Sequence, residues 1–261
     1  MTVSYLDLKS TSLWDERGYS GSLSRDYTPM GLESVSKTTG TDEENRVNIK
    51  PDLVESIVFR KGSSIKHINL PNDILILCEK YWVDMLKILT LLMEVSALSL
   101  NLEENFFKSF FKNPSCSLRL AFYPKIEKIK EGTEIDYFPQ TRYGAHTDYT
   151  GFTILRQDEN PGLEVLINNQ WIPVPYIPDS YVINSGDLIQ RWTNDVFKSN
   201  LHRVSKPKDA NKDRLSIVFF TGPDDDSIII PIDSLCTIEN PSKYPPISAF
   251  DHLMHKLNVS N

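Results

Sequence analysis

Between residues 72 and 102 the chain reads NDILILCEKYWVDMLKILTLLMEVSALSLNL, with polar positions at Lys80, Asp84, Lys87 and Glu94. Polar residues recurring at that interval in an otherwise apolar run predict one long amphipathic helix with a broad buried face. Asn72 or Asp73 is available to cap its start. EENFFKSFF at 103–111 predicts a second, shorter helix. From Cys116 the period changes to two. Runs at 118–123, 152–157, 163–167, 171–174, 181–184, 215–220 and 227–232 read as short strands, separated by turn signals such as NPG, NNQ, PDS and SGD. Short strands at this spacing predict a double-sheet barrel or jelly roll. SAFDHLMHKLN at 248–258 predicts a last helix. The first 50 residues are polar, with SKTTGTDEEN at 36–45, and predict loops with short elements, partly disordered. The expected fold is therefore mainly β with flanking helices. An irregular and then helical region, 1–115, packs its long helix against a jelly-roll core, 116–261.

Composition narrows the class of function. At 261 residues the chain suits one large domain or two small ones and can bury a substantial core. A net charge of −7 and a pI near 5.3 offer no basic field for nucleic acid or an anionic membrane. An anionic ligand would need locally placed arginines. The three cysteines, Cys78, Cys116 and Cys236, form no CxxC pair, which points to a reducing, cytoplasmic compartment. The first 20 residues lack the basic and apolar regions of a secretory signal, and no 18-residue apolar stretch is present.

Candidate chemistry begins at GAHTD, residues 144–148. On a strand, His146 and Asp148 share a face and can aim a ring nitrogen and a carboxylate oxygen at one cation. The plainer alternative is a polar turn ahead of a strand. Among the five histidines, His252 and His255 suit a surface helix, and His67 suits a structural or exposed position. His202, on a short strand after WTND, follows His146 by 56 residues, enough chain to cross a jelly roll and return. Two histidines and a carboxylate on one face of a metal are the set used by non-haem iron(II) oxygenases, and leave coordination positions open for other ligands. Zinc fits a similar set. Arg214 and Ser216 are again two apart on a strand. A guanidinium fork beside a hydroxyl is suited to a carboxylate, although an arginine at a strand start also forms ordinary surface ion pairs.

Taken together, LRLAFYP (118–124), GAHTDYTGFTILRQDENPGLEVLINNQWIPV (144–174), YVINSGDLIQRWTNDVFKSNLHRVS (181–205) and RLSIVFF (214–220) resemble the iron(II)- and 2-oxoglutarate-dependent dioxygenases of the isopenicillin N synthase type. The resemblance implies a double-stranded β-helix with His146, Asp148 and His202 as iron ligands. It further implies that Arg214 and Ser216 hold the distal carboxylate of 2-oxoglutarate and that Tyr123 contacts this cosubstrate. A family asparagine two positions before Tyr123 is Ala121 here, so one usual contact is missing. Asn184, Gly186 and Asp187 match a structural turn. Family members have a longer N-terminal region, and RGYSGSL (17–23) resembles its middle. One barrel edge is then expected to be uncovered or covered by a partner subunit, or else the chain is a shortened version of a longer ancestor.

The activity so implied consumes dioxygen and 2-oxoglutarate, with ascorbate as a possible reductant, and removes a hydrogen atom from a small molecule of secondary metabolism. Hydroxylation, desaturation or ring closure follows. Arg142 and Arg191 are candidate substrate anchors or else surface or structural arginines. Phe152, Trp192 and Phe250 either line the pocket or belong to the core. Two oxidases, isopenicillin N synthase and aminocyclopropane-carboxylate oxidase, keep the Arg-x-Ser pair without consuming 2-oxoglutarate and remain alternatives. A non-catalytic binding protein on the same fold is another. A sugar-binding jelly roll is supported by fold class alone.

Overall fold

The computed structural model describes residues 27–38, 51–60, 71–125, 141–206 and 212–260. In chain order its strands are β1 (Tyr27–Thr28), β2 (Glu55–Arg60), β3 (Ser117–Tyr123), β4 (Tyr143–His146), β5 (Phe152–Gln157), β6 (Leu163–Ile167), β7 (Gln170–Pro173), β8 (Val182–Ser185), β9 (His202–Val204), β10 (Arg214–Phe220), β11 (Ile228–Ile229) and β12 (Ile247–Ser248). The helices are α1 (Asn72–Ser99), α2 (Asp187–Trp192) and α3 (Ala249–Ser260). One antiparallel sheet has the order β1-β2-β3-β10-β5-β8, another β4-β9-β6-β7, and β11 pairs with β12. From β3 to β10 the chain passes repeatedly from one large sheet to the other, which brings residues distant in sequence to a shared interior.

The alternation of each strand sorts its side chains. On β10, Phe219 and Ile217 pack into the main hydrophobic cluster with Leu118 and Leu120 of β3. The same cluster holds Met85, Leu89, Met93 and Ala97 of α1, and Trp82 meets Phe219 edge to face at 5.1 Å. Arg214, Ser216, Val218 and Phe220 therefore face the opposite way. The β3–β10 register sets Arg214 against Tyr123, Ser216 against Ala121 and Val218 against Arg119, so these residues share the inner face. On the other flank of β3, Ser56 pairs with Ala121 and Val58 with Arg119.

Several expectations change. The long helix forms, but Pro71 occupies its N-cap and no side chain caps it; Asp73 lies in the first turn, where its charge suits the helix dipole. The 103–111 segment forms turns with i to i+3 hydrogen bonds and a short 3-10 helix, Lys108–Phe110, rather than an α-helix. Tertiary contact dominates there, since Phe107 and Phe110 close on the Trp192 ring at 5.0 and 4.8 Å. The 227–232 run pairs only over Ile228–Ile229, because Pro231 has no N–H with which to extend a ladder. Strand β2 and helix α2 were not expected. Much of the irregular 1–50 tract, RGYSGSL and His67 lie outside the described residues. All three cysteines are free thiols. Among the described residues no helix is long and apolar enough to cross a membrane.

Candidate metal centre and adjoining cavity

Strand β4 ends at His146, β9 begins at His202, and the two residues are register partners. Asp148 follows β4 by two residues. One ligand atom from each of the three lies within 4.8 Å of the others. His202 Nε2 is 3.6 Å and His146 Nε2 3.9 Å from Asp148 Oδ1. The Nδ1 of His146 faces the Gly144 carbonyl at 2.8 Å, and that of His202 faces the Asn200 carbonyl at 3.1 Å. Each carbonyl accepts a hydrogen bond from Nδ1–H, which leaves an Nε2 lone pair directed at Asp148. Asp148 Oδ2 accepts hydrogen bonds from Thr153 Oγ1 and Asn184 Nδ2, both at 2.6 Å. Oδ1 is thereby oriented toward the two imidazoles.

The electrostatics suit a cation. Burial, reinforced by the neighbouring His202 charge, pushes the His146 pKa down to about 4. Burial works against the Asp148 carboxylate, but the charges of His202 and His146 and the hydrogen bonds from Thr153 and Asn184 hold its pKa below the usual range. A neutral imidazole and an ionised carboxylate are the forms that bind a metal. The two-nitrogen, one-oxygen donor set converging on one point fits iron(II).

Backbone packing fixes this arrangement. A Cβ on Gly144 would lie 1.7 Å from Ser36 Oγ, so a larger residue there would force Ser36 to turn aside where the 3-10 turn Val35–Thr38 closes on β4. Asp52 clamps the same junction, accepting from Gly144 N and Val35 N at 2.8 Å each. Burial raises its pKa to about 7. A Cβ on Gly186 would lie 2.6 Å from the Thr150 carbonyl. Gly186 thus allows α2 to abut the 148–151 loop, where Asp187 N donates to the Asp148 carbonyl.

Arg214 is fully buried, as is Ser216. Its Nη1 reaches Ser216 Oγ at 3.2 Å, its Nη2 makes a long bond to Gln157 Oε1 at 3.4 Å, and its Cζ stands 5.0 Å from the Tyr123 ring centre. Its Nε is buried without a partner. A buried guanidinium with an open donor and only neutral partners calls for an anion, and a carboxylate supplies one.

A cavity of about 320 Å³ adjoins His146 and Asp148. Leu32, Val58, Phe220 and Leu253 give it apolar wall, and Glu33, Arg119 and Tyr143 a polar one. None of the five substrate candidates from the sequence is on that wall. Phe152 and Trp192 are core residues, their rings taken up by Phe197 and by the 106–111 aromatics. Phe250 lies in the first turn of α3, its N–H bonded to the Asp225 carbonyl. Arg191 donates to the Pro245 carbonyl and sits over Tyr244. Arg142 is buried and donates to the Lys212 and Pro124 carbonyls. His252, expected on a surface helix, is buried against the Tyr149 carbonyl at 2.9 Å, whereas His255 is exposed. Glu33, Arg119, Asp52 and Thr153 carry no local signal in the sequence, and Asn184, in a motif that resembles a structural turn, instead bonds to Asp148.

Comparison with known proteins agrees with this geometry. Residues 114–223 match the 2OG-Fe(II) oxygenase superfamily. The chain is 35% identical over 205 residues to the 2-oxoglutarate-dependent dioxygenase caaD of Aspergillus niger, covering 77% of this chain and 62% of that protein. It is 36% identical over 164 residues to the 2-oxoglutarate-Fe(II) type oxidoreductase hxnY of Emericella nidulans, covering 60% of this chain and 44% of that one. The match thus spans roughly half the length of these relatives. The structure of a full-length Neurospora crassa protein in complex with alpha-KG and thymine aligns with a TM-score of 0.71 and 30% identity, over 94% of this chain and 77% of that one.

Proposed function

This chain belongs to the 2OG-Fe(II) oxygenase superfamily, and from that premise we propose that it is an iron(II)- and 2-oxoglutarate-dependent oxygenase of a small molecule, built on a double-stranded β-helix and working in the cytoplasm. The observation that carries the proposal is the convergence of His146, Asp148 and His202 within 4.8 Å beside a cavity. When bound, iron and 2-oxoglutarate would supply, with dioxygen, the oxidising chemistry for hydroxylation, desaturation or ring closure of a small molecule.

The chain's own residues supply position. His146, Asp148 and His202 would hold the iron through Nε2, Oδ1 and Nε2. Thr153 and Asn184 fix the carboxylate that completes the set. Arg214 and Ser216 bind the distal carboxylate of 2-oxoglutarate through charge-assisted and neutral hydrogen bonds, and Tyr123 flanks it. The cavity beside His146 holds the substrate away from water. Its volume, about 320 Å³, suits a small molecule, and the Neurospora crassa structure with thymine supports that class.

Anaerobic addition of iron(II) and then 2-oxoglutarate tests the proposal. A visible charge-transfer band that needs both additions is expected. Iron-loaded, folded protein that gives no band on adding 2-oxoglutarate would overturn it.

A further inference from the structure

Arg119 stands on the inner face of β3, with its guanidinium in the wall of the cavity that also contains His146 and Asp148. Unopposed, it would be a carboxylate anchor. It is instead already matched by a carboxylate of the chain. Glu33 receives Arg119 Nη2 on Oε2 at 2.6 Å and Nη1 on Oε1 at 3.1 Å. The Tyr143 hydroxyl joins the two groups, accepting from Arg119 Nη1 at 2.8 Å and donating to Glu33 Oε1 at 2.7 Å. Burial works against the Glu33 charge, yet Arg119 and the two hydrogen bonds keep its pKa below the usual carboxylate range. Arg60, the other arginine of the wall, is itself engaged.

We propose that Glu33 is a charge filter: by closing Arg119 inside the cavity, it makes the site select an uncharged, hydrogen-bonding small molecule over a carboxylic acid. The inference rests on the cavity being the substrate's place, as argued above. An entering carboxylate meets the Glu33 charge in a poorly screened space. To reach Arg119 it must displace Glu33 and leave that partly buried carboxylate, its side chain 28% exposed, without its cation, which is unfavourable. An amide, lactam or hydroxyl faces no such opposition. It can bond to Glu33, to Tyr143 and to the hydroxyls of Ser34, Ser56 and Ser117, all in the same wall.

The test uses protein loaded anaerobically with iron(II) and 2-oxoglutarate, so that the Arg214 site is filled, and two isosteric probes, phenylacetamide and phenylacetate, measured by calorimetric titration. The wild type should bind the amide about tenfold tighter or better. Glu33→Gln keeps the shape and removes one negative charge; phenylacetate should gain about a hundredfold and overtake the amide. The double variant Glu33→Gln with Arg119→Gln removes both charges and should return to amide preference, a readout independent of how well the single variant folds. Absence of an amide preference in the wild type, or no gain for phenylacetate in Glu33→Gln, would overturn the filter. The charge-transfer band in the same samples separates the two proposals. A band with unmoved preference sinks the filter alone, whereas folded, iron-loaded protein without a band sinks the oxygenase reading.

Discussion

Asn184 donates a 2.6 Å hydrogen bond from Nδ2 to Asp148 Oδ2, across 36 residues of sequence and from β8 to the loop after β4. With Thr153 on the same oxygen, it leaves the other oxygen of Asp148 as the one presented to a metal. Removing such outer partners typically costs about 10–100-fold in metal affinity. Asn184→Ala should therefore weaken iron(II) binding by roughly that factor while the fold is kept. Anaerobic iron titration followed by circular dichroism checks both parts, and unchanged iron affinity would remove Asn184 from the role.

The ligands themselves are expected to behave as a unit. Asp148→Ala and His202→Ala should each abolish stoichiometric iron. Chelation of the wild type should lower its melting temperature, because a ligand at about 100 times its Kd contributes about 2.7 kcal/mol to the folded state. The two variants should melt at the same temperature with and without chelator. Elemental analysis and thermal melts supply the measurements.

Arg214→Met should separate cosubstrate from metal. Hydrogen bonds to charged groups contribute about 1.5–3 kcal/mol each, so loss of the guanidinium should raise the apparent KM for 2-oxoglutarate by roughly 100-fold. Iron affinity should stay within about twofold, since Arg214 touches none of the three ligands. Initial-rate kinetics and iron titration on the same preparation read the two effects.

In the metal-free protein, His146 should contribute a loss of stability as pH falls from about 6.5 toward 4. His146 is held down to about 4 by burial and the His202 charge. An unfolded chain protonates this residue near its ordinary 6.5. Between those values the unfolded state binds the extra proton, so stability rises with pH, by at most about 1.4 kcal/mol per unit for one group. Asp148, whose pKa is lowered, stays ionised through this window and adds no slope there. Asp52, raised by burial to about 7, binds its extra proton in the folded state across the same window and contributes the opposite slope. Denaturant titrations at pH 7, 6 and 5 on wild type and His146→Gln should therefore differ by the His146 slope, the variant losing less stability or gaining more as pH falls.

Arg214 and Ser216 were legible as a same-face pair because strand periodicity places i and i+2 together. His146 and Asp148 were legible as near neighbours although Asp148 falls just beyond β4, whereas His202, 56 residues on, was linked to them only through its own short strand and the order of motifs along the chain. The long helix and most strands were legible from local periodicity. Glu33 was not. It lies in a polar N-terminal tract, 110 residues from Tyr143, and only the packing of 33–36 against β4 gives it a partner. Asn184 was quoted within a motif but read as a turn residue, because its target is set by the β5–β8 register, which aligns it with Thr153. Phe152 and Trp192 carry no local signal that separates a pocket wall from a core, and the core took both. Arg142 and Arg191 satisfy carbonyls made available by loop geometry, which no periodicity reveals.

The β3–β10 register has a consequence for how such a protein can diverge. Arg214 and Val218, which sits opposite Arg119, are four residues apart on one strand, a span of about 13 Å at 3.3 Å per residue. A hydrogen-bonded ladder, not a loop, sets the separation between Arg214, the proposed anchor of the cosubstrate, and the cavity wall at Arg119. Positions 33, 56, 58 and 119 can be exchanged by mutation while the ruler stays fixed, so new chemical tastes can be acquired without rebuilding the engine.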